Sequence, residues 1–214
     1  MRLHLGCGNN YLEGYVNIDI RGKKLDRKED IRYLQFKENT IEEIRSHHVF
    51  EHFSRVEAYG ILIKWILWLA PGGKLTIEVP DFMATLSAIN NCNHLMRMKY
   101  LRHLTGDQSQ FWGFHKELWF ESRFITTLLA FGCEVERFHA YSWKHSPYLS
   151  NIICYAHKTR NMSQAEYFHS GCDLLRQSMV SDKEAETYNI WVEQLKGVIF
   201  NNEFPFSKYN CSDV

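Results

Sequence analysis

The chain opens with short apolar runs cut by glycines and charged loops. Arg2-Leu3-His4-Leu5 alternates polar and apolar positions and breaks at Gly6-Cys7-Gly8, which predicts a strand running into a tight turn. Tyr15 to Ile20 reads as a second strand ending in an acid, Asp30 to Leu34 as a weak third and Ile41 to Arg45 as a fourth. The stretches between them are too short for full helices.

Ser54-Arg55-Val56-Glu57 has the form of a capping box and starts a helix. Its apolar positions (Val56, Leu62, Ile63, Trp65, Ile66, Leu69) leave little polar surface, so it packs on a sheet until Pro71-Gly72-Gly73 stops it. Lys74 to Pro80 alternates as a strand that leads into Asp81. Helical patterns over 82–104 and 120–131 come next, and Val135 to Phe138 with Ile152 to Ala156 read as a terminal antiparallel pair. Two further helices, near 163–179 and 182–199, and a polar tail complete the chain. Strands alternating with helices around glycine breaks predict an α/β fold with a mostly parallel sheet. Ligands in such sheets bind beyond the carboxyl ends of the strands, which selects the loops after Leu5, Ile18, Ile31, Ile44 and Val79.

Composition narrows the partners. The 214 residues suit one domain, residues 1–160, with a helical extension over 161–214, and 45% apolar residues suffice for a sizeable core. Lys and Arg number 25 against 25 Asp and Glu, so no basic surplus exists for tracking phosphates and a nucleic-acid partner is not expected. The longest apolar run, Ile61 to Ala70, contains Lys64 and ends at Pro71, too short for a membrane span. The N-terminal residues lack a signal-peptide core, which sets the expectation of a cytoplasmic protein. The six cysteines never occur as C-x-x-C, so neither a disulfide framework nor a zinc ribbon is expected.

Several residues in those loops suit more than one role. Gly6 and Gly8 allow a close backbone approach to a ligand or a plain turn, and Tyr11 stands where a dinucleotide fingerprint needs its third glycine. Asp19, 13 positions after Gly6, can accept from both hydroxyls of a ribose or cap a loop. Asp30 with Ile31 can frame an adenine, or Asp30 can be a solvated loop acid. His47, His48, Glu51 and His52 crowd one loop, but their order is not His-Glu-x-x-His and they follow a strand, so no metal is expected.

Together, Leu3-His4-Leu5-Gly6-Cys7-Gly8, Gly14 to Asp19, His48-Val49-Phe50-Glu51-His52-Phe53 and Leu69 to Leu75 resemble the class I S-adenosylmethionine-dependent methyltransferases, in particular a short bacterial-type branch. A looser likeness continues through Thr105 to Gln108, His115-Lys116 and Leu128 to Cys133, and residues beyond about 160 have no counterpart. The resemblance implies a Rossmann-like sheet in which Gly6, Cys7 and Gly8 wrap the methionine end of S-adenosylmethionine. Asp19 followed by Ile20 then holds the ribose, Asp30 and Ile31 frame the adenine, and His47 or His48 lies beside the sulfonium. The 13-residue spacing departs from the roughly 20 residues of the related dinucleotide fold and leaves the N-terminal helices shortened. With no helix before Leu3, covering the cofactor is expected to fall to residues 161–214.

Methyl transfer from a sulfonium needs in-line alignment, and a hydroxyl acceptor also needs a base near neutral pKa. His115 is the first choice, with His52 and Asp81 as alternatives. The chain lacks the Asp/Asn-Pro-Pro-aromatic motif of enzymes acting on base amines and the Pro-Cys of cytosine-carbon enzymes. The branch's association with sugar and polysaccharide contexts implies O-methylation of a glycan or small molecule, and Phe111, Trp112, Phe114 and Trp119 are candidates to stack on sugar faces. The alternatives are a protein methyltransferase and an inactive cofactor-binding scaffold.

Overall fold

A computed structural model of the chain describes residues 1–144 and 148–205. Seven strands form one sheet: β1 (Arg2–Leu5), β2 (Val16–Asp19), β3 (Arg27–Lys28), β4 (Ile41–His47), β5 (Leu69–Pro80), β6 (Cys133–Ser142) and β7 (Ser150–Lys158). Their order is β3-β2-β1-β4-β5-β7-β6, with all pairings parallel except those of β7 to β5 and to β6. The chain runs outward from β1 to β3 and returns to β4 on the other side of β1. Strand order therefore reverses between β1 and β4, where α/β sheets place their ligands.

The register assigns every strand residue to one of two faces. On the first, Leu3, Leu5, Ile18, Ile44, Leu75, Ile77 and Val79 are buried against helices. The second carries His4, Asn17, Arg45, His47, Thr76, Glu78 and Tyr155. The crossovers from β1 to β4 contain no helix, so the usual cover of this second face is missing and polar residues take its place.

All packing helices gather on the first face. Helix α1 (Arg55–Trp68) starts at the Ser54/Glu57 capping box, and is buried nearly all round because α5 (Gln164–Arg176) and α6 (Ala185–Lys196) lie behind it. Helix α4 (Glu121–Ala130) packs on β6, and Phe50, Trp65, Trp119 and Phe124 fill the space around these helices. One contiguous core joins the sheet to Tyr167, Leu174, Leu195 and Val198 of the C-terminal region.

Four expectations change. Asp30 to Leu34 is a turn, since the Asp30 side chain accepts the Arg32 amide at 2.9 Å and its carbonyl accepts that of Tyr33; the third strand is Arg27–Lys28. Helix α1 stops at Trp68, and Pro71-Gly72-Gly73 lies inside the 12-residue β5 where its register to β4 shifts. The long pattern over 82–104 splits into α2 (Phe82–Asn90) and α3 (His94–Thr105), each capped by its own side chain, Asp81 and Asn93. Residues 161–205 cover α1, not the ligand edge. There Lys64 donates to Asn202 at 2.5 Å and Phe204 packs edge-on against Tyr33.

Candidate active site

A cavity of about 730 Å³ opens at the carboxyl edge of the sheet on the polar face. That size suits a small-molecule ligand. Its floor is the turn after β1. Gly6 has φ +69°, and a Cβ there would meet Val49 Cγ2 at 1.7 Å; Gly8 has φ +54°, with open space where its Cβ would lie. Only glycine combines this backbone with that approach. Asp19, at the end of β2, fixes the turn by accepting the Gly8 amide at 2.7 Å through one oxygen and the Arg21 amide at 2.9 Å through the other. Each oxygen keeps a further lone pair, and the residue lines the cavity. Cys7 is buried beside it, and burial raises its thiol to about 11, so it packs without reacting.

The far rim is formed by Ile20, Asp30 and Ile31. Arg32 engages both oxygens of Asp30, the closest contact being 2.6 Å, so this acid is already ion-paired. Arg32 also lies 3.7 Å from the buried Glu57, which links the rim to the first turn of α1.

Beneath the mouth lies a network of histidines and carboxylates. His48 takes the left-handed conformation at φ +52°, uncommon for a residue with a side chain, and this turns its ring between two buried acids. Nδ1 meets Glu51 Oε1 at 3.2 Å, and Nε2 meets Glu78 Oε1 at 3.1 Å. Burial works against the charge of His48, but the two carboxylates outweigh it and raise the imidazole to about 10. Burial likewise opposes Glu51, which His48 and the nearby His52 and His115 nonetheless hold down at about 2. Burial opposes the charge of Glu78 too, but His48 and the Tyr141 hydroxyl hold its carboxyl below the usual range, and Asn151 Nδ2 donates to it at 3.2 Å. His47, 3.2 Å from Glu78, is lowered to about 4 by burial and is neutral. Arg45 stands on the far side of His47, 3.5 Å from its Nε2.

His52 lines the cavity and His115 does not. His52 Nδ1 lies 3.0 Å from the Phe114 carbonyl oxygen. A carbonyl only accepts, so Nδ1 carries the hydrogen and Nε2 holds the lone pair. His115 packs edge-on against this ring at 4.8 Å, with Nε2 3.9 Å from Glu51. Burial lowers its pKa, so it stands behind His52 as a neutral ring. Asp81 is absent from the lining: one oxygen caps α2 by accepting the Ala84 amide at 3.0 Å, because helix begins directly after β5.

Glu51, His52 and His115 are also the candidate set for a metal, their donor atoms lying within 4.8 Å of one another. Donors about 2.1 Å from a shared ion stand no more than about 4.2 Å apart, so this group is more open than a formed metal site. Glu78, Tyr141 and Asn151 escaped the reading of the sequence. Glu78 carried a signal, an acid at the polar phase of a strand central enough to be buried, whereas Tyr141 and Asn151 arrive from strands distant in the chain.

No protein-family model and no curated protein matches the sequence. Solved structures do. A Methanosarcina mazei S-adenosylmethionine-dependent methyltransferase superposes with a TM-score of 0.54 at 16% identity, over 75% of this chain and 92% of its own. The fold is that of the S-adenosylmethionine-dependent methyltransferases. A Burkholderia thailandensis 1,6-didemethyltoxoflavin-N1-methyltransferase with bound S-adenosylhomocysteine matches this fold at TM-score 0.52 and 14% identity, over 74% of this chain and 71% of its own. Magnesium protoporphyrin IX methyltransferase from Synechocystis PCC 6803 does so at 0.50 and 16%, over 73% of each chain. This chain reaches β4 without a helix on its polar face.

Proposed function

We propose that the protein is an S-adenosylmethionine-dependent methyltransferase that methylates a hydroxyl of a glycan or another small molecule, with His52 as general base. One observation carries the assignment of the base: the Phe114 carbonyl orients His52 so that its free Nε2 belongs to a ring lining the cavity. His115 supports that ring, and Asp81 is spent on a helix cap.

The donor set fits the cofactor. Gly6, Cys7 and Gly8 would take the methionine end, Asp19 and Ile20 the ribose, Asp30 and Ile31 the adenine edge. His47 and His48 would lie beside the sulfonium, with the Glu78 carboxylate in the same lining to face a cation. When bound, S-adenosylmethionine supplies a methyl group on a good leaving sulfur. His52 Nε2 receives the acceptor's proton as its oxygen attacks, Nδ1–H stays on the Phe114 carbonyl, and the nearby Glu51 carboxylate stabilises the imidazolium that forms. Trp112 and Phe111, at the rim, supply flat apolar surface for a sugar ring.

Incubation with methyl-labelled S-adenosylmethionine and a cell extract tests the reading. Label is expected in a protease-resistant, low-mass or glycan fraction, and His52→Gln is expected to lower its rate about 10²- to 10⁴-fold. Label lost on protease treatment would overturn the acceptor class. Cofactor binding with no label in any fraction would favour a scaffold over an enzyme.

A further inference from the structure

Between β5 and the loop that reaches the cavity, the chain inserts the helical hairpin α2–α3. Residues 82–106 contain no Asp or Glu, yet they carry Arg97, Lys99 and Arg102, in a chain whose total charge is zero. None of these three cations is ion-paired among the described residues. The hairpin also leaves apolar side chains in solvent. On α3, Leu95 is 73% exposed, Met98 52% and Leu101 41%; on α2, Met83 and Leu86 are exposed as well.

The spacing organises α3 into a surface. Leu95, Met98 and Leu101 recur every third residue and form one stripe, with Arg102 within it and Lys99 and Arg97 on its flanks. The helix's buried residues, Tyr100, His103 and Leu104, face the protein instead. Arg97 turns back to donate to the Ile89 and Cys92 carbonyls, which leaves Lys99 and Arg102 beside an exposed apolar stripe, a composition that suits a helix lying in a membrane interface.

We propose that α3 docks the protein onto an anionic lipid surface, with Leu95, Met98 and Leu101 entering the headgroup boundary and Lys99 and Arg102 meeting lipid phosphates. Charge selects this occupant over a second copy of the chain, because a symmetric self-contact would press like cations together. The protruding leucines and methionine select lipid over nucleic acid, which would contact the cations and leave the apolar stripe unburied. Helix α3 ends at Gly106, which pairs with Phe114, and Trp112 between them lines the cavity. The proposal stands on this surface alone and does not depend on the methyl-transfer reading.

Co-sedimentation of the full chain with vesicles tests it. The wild type is expected to pellet with vesicles of phosphatidylglycerol and phosphatidylcholine, to bind pure phosphatidylcholine at least tenfold more weakly, and to be released by salt. Leu95→Glu with Met98→Glu, and separately Lys99→Glu with Arg102→Glu, should each weaken binding more than tenfold with the thermal midpoint unchanged. Absence of vesicle binding, equal binding to neutral vesicles, or variants that bind like the wild type would overturn the proposal. So would a salt-sensitive complex with RNA, or a dimer broken by the same substitutions, where vesicles fail to bind.

Discussion

The two faces of the sheet solve the same problem by different means. The helix-covered face is dry: Leu3, Leu5, Ile44, Ile77 and Val79 are buried against α1, α4 and the aromatic layer. The opposite face has lost the helices that ordinarily cover a parallel sheet, and keeps its backbone paired while meeting water through Arg2, Lys74, Arg137 and His139. Toward the carboxyl edge that polar face becomes the floor of the cavity, where His4, Asp19, His47 and Glu78 are continuous with it. Apolar packing therefore resides on one side of the sheet and the cavity on the other. A polar face can be carried without helices because its outer residues meet water and its inner carboxylate Glu78 pairs with His47 and His48.

Paired truncations test this division most strongly. Ile77→Ala on the dry face is expected to cost about 2–5 kcal/mol in urea unfolding, from lost transfer energy and the cavity left behind. Arg137→Ala, exposed on the polar face with its guanidinium 3.9 Å over the Tyr155 ring, should cost about 1 kcal/mol or less. Similar losses at both sites would break the comparison.

A second experiment works within the polar edge. His52→Gln is expected to reduce methyl transfer about 10²- to 10⁴-fold while cofactor affinity stays within about twofold, and His115→Gln to reduce it by a smaller factor. A larger loss at His115 would return the base to that residue.

The smallest expected effect is the pH dependence of stability. His48 is raised from 6.5 to about 10, so its contribution is complete below pH 6.5 and disappears as pH rises through about 10. His47 is depressed to about 4, so the protein loses stability as pH falls from 6.5 toward 4. A thermal midpoint that peaks near pH 6.5 follows, with His48→Asn flattening the alkaline limb. An alkaline limb unchanged in that variant would remove His48 from the account.

Much of this was legible in the chain. The Ser54/Glu57 capping box, the alternation of β5 and the glycines after Leu5 are local signals, and the structure has them where the pattern put them. Asp30 to Leu34 misled because an apolar pair there resembles a strand, while the Asp30 side chain folds the segment into a turn. His52 was named as an alternative base, but its tautomer was not readable, since it depends on a carbonyl 62 residues away. The bracing of Glu78 by Tyr141 and Asn151 depends on strand order in the same way, and so does the placing of residues 161–205 behind α1 and away from the cavity.

The central claim is that the polar edge of the sheet binds S-adenosylmethionine, and calorimetric titration of the full chain with that compound tests it most directly. A dissociation constant near the micromolar range is predicted, weakened about tenfold or more in Asp19→Ala as loss of charge-assisted hydrogen bonds worth about 1.5–3 kcal/mol requires. Absence of measurable binding by the wild type, or equal binding by Asp19→Ala, would contradict it.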